Sequence, residues 1–119
     1  MRMFWSFTRI SVQLVSSMID LANIQDYFKT DAVFVTEHAM VRFRQRGILM
    51  RDVRAAIFSG VIIEQYPEDY PFPSCLICGI TTGNRPLHVV VSDEGSSSRI
   101  ITAYYPDPSQ WSPDYKTKL

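Results

Sequence analysis

Apolar residues keep one rhythm before Gly60 and another after it. Before it, Leu21, Ile24, Tyr27 and Phe28 recur at helical spacing and predict a helix over residues 20–29. Ala32-Val33-Phe34-Val35 is a short extended stretch. Thr36 is placed to cap a second helix over residues 38–46, with Ala39, Met40 and Phe43 on one side and Gly47 ending it. A third helix, about 51–59, turns Val53, Ala56 and Ile57 inward and stops at Gly60. Beyond that glycine, β-branched runs alternate with turn residues, and all seven prolines lie past residue 66. Strands are predicted at about 61–66, 74–82, 86–92 and 98–105. N-terminal helices followed by closely connected strands imply an α+β fold, a four-stranded antiparallel meander with helices packed on one face.

The turns also predict a register. A two-residue loop at Gly83-Asn84 sets Gly79 opposite His88 and Cys78 opposite Val89. Pairing of the last two strands sets His88 opposite Thr102. Alternation then gives the helix-facing side Leu76, Cys78, Ile80, Leu87, Val89, Val91, Ile101 and Ala103. The other side receives Cys75, Gly79, Thr81, His88, Thr102 and Tyr104.

Length and composition narrow the classes. At 119 residues, 46% apolar and 20% charged, the chain is an ordinary globular sequence. Residues 18–119 read as one α+β domain. Residues 1–17 read as an appendage, with Met18 as an alternative start. That segment is interrupted by Arg9, Gln13 and serines, so it reads neither as a signal peptide nor as a membrane anchor. Two cysteines make no disulfide framework, which points to a reducing, cytoplasmic setting. Twelve basic and twelve acidic residues cancel, so no global field draws the molecule onto nucleic acid. The charges are nevertheless uneven. Residues 1–60 hold eight Lys/Arg against five Asp/Glu, and Arg42, Arg44, Arg46, Arg51 and Arg54 crowd one short stretch. Such a stretch is either a solvated helix face or a local holder of phosphate or of an acidic partner.

Two histidines carry the candidate chemistry. His88 interrupts an apolar strand, with Gly79 predicted beside it to leave space over the ring and Thr102 and Tyr104 in hydrogen-bonding range. It is either a half-exposed strand histidine without a duty or a proton-transfer group. His38 shares one helix face with Arg42, Gln45 and Arg46, a grouping that suits a phosphodiester or merely a solvated face. Cys75-x-x-Cys78-Gly79 has the form of a zinc knuckle. It is a single pair whose sulfurs point to opposite sides of a strand, so no metal and no cofactor is expected.

Further motifs are Glu37-His38-Ala39-x-x-Arg42-x-x-x-Arg46-Gly47-Ile48, Gly60-x-Ile62-Ile63-Glu64-x-Tyr66-Pro67, Arg85-Pro86-Leu87-His88-Val89-Val90 and Ile101-Thr102-x-Tyr104-x-Pro106-Asp107. Together they resemble a bacterial and archaeal family of small proteins built on a domain of unknown function. Leu49-Met50 departs from its usual Ser or Thr helix cap, and Cys78 and residues 1–17 fall outside its pattern. That family looks related to the RelE-like toxin ribonucleases, whose helices precede a small antiparallel sheet. Its genes often neighbour a zinc-finger antitoxin of the MqsA (YgiT) type. The resemblance implies a toxin of a type II toxin–antitoxin pair, a metal-independent endoribonuclease acting on RNA by 2′-hydroxyl transesterification. On this expectation His88, His38 and Tyr104 are catalytic, and Arg42, Arg46 and Thr102 bind substrate. The alternative is a non-enzymatic module that docks a protein or RNA on its exposed sheet face. A zinc-binding adaptor using Cys75 and Cys78 is a third reading.

Overall fold

The computed structural model describes residues 18–119, so the expected appendage at residues 1–17 lies outside it. Among the described residues three helices form where the periodicity placed them. In α1 (Leu21–Lys29) the Asp20 carboxylate accepts from the Ala22 N–H, and Ile24 and Phe28 face inward. In α2 (Glu37–Arg46) the Thr36 hydroxyl accepts from the Ala39 N–H, and Ala39 and Phe43 are buried. Gly47 then takes the left-handed conformation, φ 67°, and Ile48 N–H closes back on the Phe43 carbonyl. Helix α3 (Met50–Ser59) follows from Leu49, which gives it no side-chain cap. Its Asp52 carboxylate instead accepts from the Thr82 hydroxyl.

Among the described residues the sheet has five strands rather than the expected four, and it is mixed. Strands β1 (Val33–Val35), β2 (Val61–Tyr66), β3 (Ser74–Ile80), β4 (Pro86–Asp93) and β5 (Ser98–Tyr104) lie in the order β1-β5-β4-β3-β2. The last four form the predicted antiparallel meander. The added strand is the short stretch at residues 33–35, which pairs parallel with β5. Nothing local marks it as a sheet strand, because its partner lies some sixty residues further on.

The register differs from expectation by one residue, and the reason is the β3–β4 turn. Thr81 N–H donates to the Arg85 carbonyl, Arg85 N–H to the Thr81 hydroxyl, and Asn84 takes φ 61°. The loop therefore has three residues, with asparagine rather than glycine at the left-handed position. Cys78 now pairs with His88 and Ile77 with Val89. One extra loop residue turns β3 over relative to β4. Cys75 and Ile77 join Leu87, Val89 and Val91 in the core under the helices, while Leu76 and Cys78 are buried on the opposite, open face. Ile80 is 41% exposed. A bulge between Val90 and Val91 shifts β5 similarly, so Ile100 is the core residue and Ile101 is 39% exposed. His88 faces Tyr104 rather than Thr102, which pairs with Val90.

Gly79 belongs to the helix side, not beside His88. A Cβ there would sit 2.0 Å from the Ala56 carbonyl oxygen of α3, and one on Gly60 would sit 2.4 Å from the same atom. Helix and strand backbones meet at this point with no room for a methyl group. Among the described residues no helix is long and apolar enough to cross a membrane. Replacing Gly79→Ala is expected to lower unfolding free energy by about 3 kcal/mol, through forced separation of α3 from β3. Urea denaturation of the two proteins measures it, and an unchanged midpoint would refute this close packing.

Candidate functional site

The open face of the sheet carries the polar positions. On β4, alternation points His88 and Val90 outward from the helix layer, and on β5 it points Thr102 and Tyr104 the same way. β2 adds Glu64 and Tyr66, whose register partners are Leu76 and Ser74 of β3. After β5 the chain doubles back so that Trp111 and Tyr115 close over one end of this face. Trp111 meets the His88 ring edge-on, with centroids 4.5 Å apart.

His88 is wholly buried there, with 0% of its surface exposed. Its Nε2 lies 2.7 Å from the Tyr115 carbonyl oxygen and its Nδ1 lies 3.2 Å from the Tyr104 hydroxyl. A carbonyl only accepts, so Nε2 carries the hydrogen and Nδ1 accepts from Tyr104. Burial pushes the imidazole pKa down, against a smaller opposing effect of the Tyr115 carbonyl. The ring is thus neutral near pH 7 and satisfied at both nitrogens. Sequence left His88 as a half-exposed strand histidine or a proton-transfer group; the ring is not half-exposed but buried, a clamp between the sheet and the C-terminal tail. Tyr104 remains partly exposed, and burial, then the nearby Glu64 carboxylate, holds its phenol above the usual tyrosine range while Arg46 opposes them. Tyr66 donates to Glu64 Oε2 at 3.0 Å, and burial and that bond push its pKa up to about 12. Glu64 and Tyr66 lie outside the six residues expected from sequence, although their i, i+2 spacing on a strand puts both on one face.

Arg46 reaches this face from the side. β1 covers β5 only opposite Ser98–Ile100, so the rest of β5 has a free outer edge. The Arg46 guanidinium caps it, with Nη1 donating to the Ala103 carbonyl at 2.8 Å and the Thr102 hydroxyl at 3.3 Å. His38 and Arg42 stay on exposed α2, where Arg42 Nε lies 3.5 Å from His38 Nε2. The six residues expected to form a site therefore gather as three pairs: His88 with Tyr104, Arg46 with Thr102, and His38 with Arg42. The first two pairs share the open face around β5. His38 and His88 do not meet, because α2 packs on the helix side through Ala39 and Phe43 while His88 is enclosed on the other.

A family model described as a domain of unknown function (DUF4258) matches residues 35–105. The chain belongs to that family. The matched span runs from the end of β1 through β5 and takes in all six candidate residues. It stops short of the tail, so Trp111 and Tyr115, which enclose His88, lie outside the matched DUF4258 segment. No curated protein and no solved structure matched the chain. The cysteines of the DUF4258 domain point apart, Cys75 into the core and Cys78 to the open face, and burial raises both thiol pKa values, that of Cys75 to about 12.

The His88 clamp makes stability depend on pH. Its folded pKa lies below the unfolded value near 6.5, so the unfolded chain binds the extra proton. The stabilisation is complete above pH 6.5 and is lost as pH falls from there through the folded pKa. Thermal melts between pH 7.5 and pH 5 are expected to show a falling Tm for the wild type and a flatter profile for His88→Gln. A wild-type profile as flat as the variant's would exclude the buried neutral imidazole.

Proposed function

We propose that this protein is the toxin of a type II toxin–antitoxin pair, a metal-independent endoribonuclease that cleaves RNA by 2′-hydroxyl transesterification. The observation that carries the reading is the Tyr104–His88 pair, a phenol on the open face bonded inward to a neutral imidazole, with Arg46 alongside. In this reading the RNA 2′-hydroxyl gives its proton to Tyr104 Oη as the Tyr104 proton passes to His88 Nδ1. The 2′-oxygen bonds to the adjacent phosphorus and the bond to the 5′-oxygen breaks, leaving a 2′,3′-cyclic phosphate. Arg46 and the Thr102 hydroxyl hold the charged phosphoryl oxygens.

His38 takes a different part from the one expected. It lies eight residues from Arg46, about 12 Å along the α2 axis, too far to serve the same phosphate. With Arg42 it binds a neighbouring phosphate, and water protonates the departing 5′-oxygen. The reading carries a RelE-like relationship with it, supported by the order of helices before the meander. It also implies a zinc-finger antitoxin of the MqsA type as partner and a cytoplasmic location.

A second reading, a non-enzymatic RNA- or protein-binding module, is favoured by one specific observation. His88 is closed off by Trp111 and Tyr115, and Arg46 already spends two hydrogen bonds inside the protein. Incubating purified protein with total RNA in EDTA separates the two. Cleavage is expected for the wild type, with a rate loss of about 10²-fold or more in Tyr104→Phe, which keeps the ring but removes the proton relay. Arg46→Ala is expected to lose a similar factor, and His38→Ala less. A folded wild type that binds RNA without cutting it would leave the binding module, and cleavage undiminished in Tyr104→Phe would remove the relay.

A further inference from the structure

Among the described residues the sheet ends on one side in β1, three residues long and paired with β5 alone. Ser98 N–H donates to the Ala32 carbonyl, so in a parallel ladder Ala32 and Phe34 turn their backbone groups toward β5. Val33 and Val35 turn theirs outward, to the free edge. Natural edges of this kind are usually blunted by charge, proline or a covering element. Here the edge is short, and Phe34 is 53% exposed with the Arg99 guanidinium 5.4 Å from its ring centroid. On the helix side the edge overhangs a groove of about 300 Å³ floored by Phe28, Val33, Val35 and Met50, with Asp31, Arg51 and Arg54 on its rim.

The rim selects the occupant. Arg51 lies in the first turn of α3, at the positive end of a helix dipole that Leu49 leaves without a side-chain cap. The ion pairs among the described residues join Lys29 to Asp26 and Arg99 to Glu94, so Arg51 has none. Arg54, also on the rim, gives one N–H to the Phe28 carbonyl at the end of α1 and sets its guanidinium 5.2 Å from the Phe58 ring centroid. Asp52 already places a carboxylate in the first turn of α3, where it accepts from Thr82, and Arg51 stays exposed on the rim without an ion pair. Two arginines against Asp31 leave the rim net positive, which suits an occupant that carries carboxylates.

We propose that β1 is a docking edge for an extended, acidic segment of a partner protein, which adds a sixth strand to the sheet. Its backbone bonds the outward groups of Val33 and Val35, apolar side chains fill the groove over Met50, and carboxylates meet Arg51 and Arg54. The edge and groove use none of the open-face residues, so this inference stands apart from the ribonuclease reading.

The probe is a fluorescein-labelled peptide of about ten residues mixing valine, threonine and glutamate, followed by fluorescence polarisation against the full chain. Two companions carry lysine in place of glutamate, or N-methyl groups on one or the other alternate set of amides. Saturable binding of the acidic peptide is expected, lost in the lysine peptide and in one N-methylated set but kept in the other. Arg51→Glu is expected to weaken binding about tenfold or more. That variant does not endanger the fold, because a carboxylate in the first turn suits the helix dipole. Absence of binding by the acidic peptide, equal binding of the lysine peptide, or indifference to both methylation patterns would overturn the proposal. So would light scattering that shows a dimer which the acidic peptide fails to dissociate. RNA cleavage by the same preparations is scored separately, so the two readings fail independently.

Discussion

The backbone contact of Ala56 with Gly79 is the constraint on which the architecture rests. Helix α3 lies against β3 so closely that the strand presents a hydrogen where any other residue would present a carbon. Gly60 admits the chain beneath the same carbonyl as it leaves the helix. This contact commits one face of the sheet to the helix layer, and Ile77, Leu87, Val89 and Ile57 pack around it in a dry core. The opposite face is thereby left for the tail and for whatever the protein binds.

That second face solves a different problem. Leu76 and Cys78 are apolar and His88 is polar, yet all three are buried on this face, and the returning tail bonds to His88. Burying an imidazole without partners would be costly, and the Tyr115 carbonyl and Tyr104 hydroxyl satisfy it at both nitrogens. The tail is therefore tied by a directional bond as well as by the Trp111 contact. One consequence is chemical: the His88 side chain is buried, and its Nδ1 is joined to the open face by the Tyr104 hydroxyl.

The arginine-rich stretch shows how far a sequence cluster can scatter in space. Arg42 leans on His38, Arg46 wraps the uncovered edge of β5, Arg54 caps the end of α1, and Arg51 is left on the groove rim. Two of the five, Arg46 and Arg54, bond backbone carbonyls. The stretch is not one basic patch, and its members serve three separate regions of the molecule.

Local physics settled much of this protein before any contact was formed. Helical spacing of Leu21, Ile24 and Phe28, the Thr36 cap, the Gly47 and Gly60 stops and the β-branched runs place three helices and four strands within a few residues. They also fix the order that makes it an α+β fold. What tertiary structure decided is everything that depends on a count or a distant partner. One additional loop residue between Thr81 and Arg85 turned β3 over, and a bulge did the same for Ile100 and Ile101, because side chains alternate with a period of two. Strand β1 exists only through β5, and the enclosure of His88 only through Trp111 and Tyr115. The candidate residues were legible as types, but their grouping into pairs was not, since periodicity reports which face a residue occupies and carries no information on what the remote chain brings to meet it.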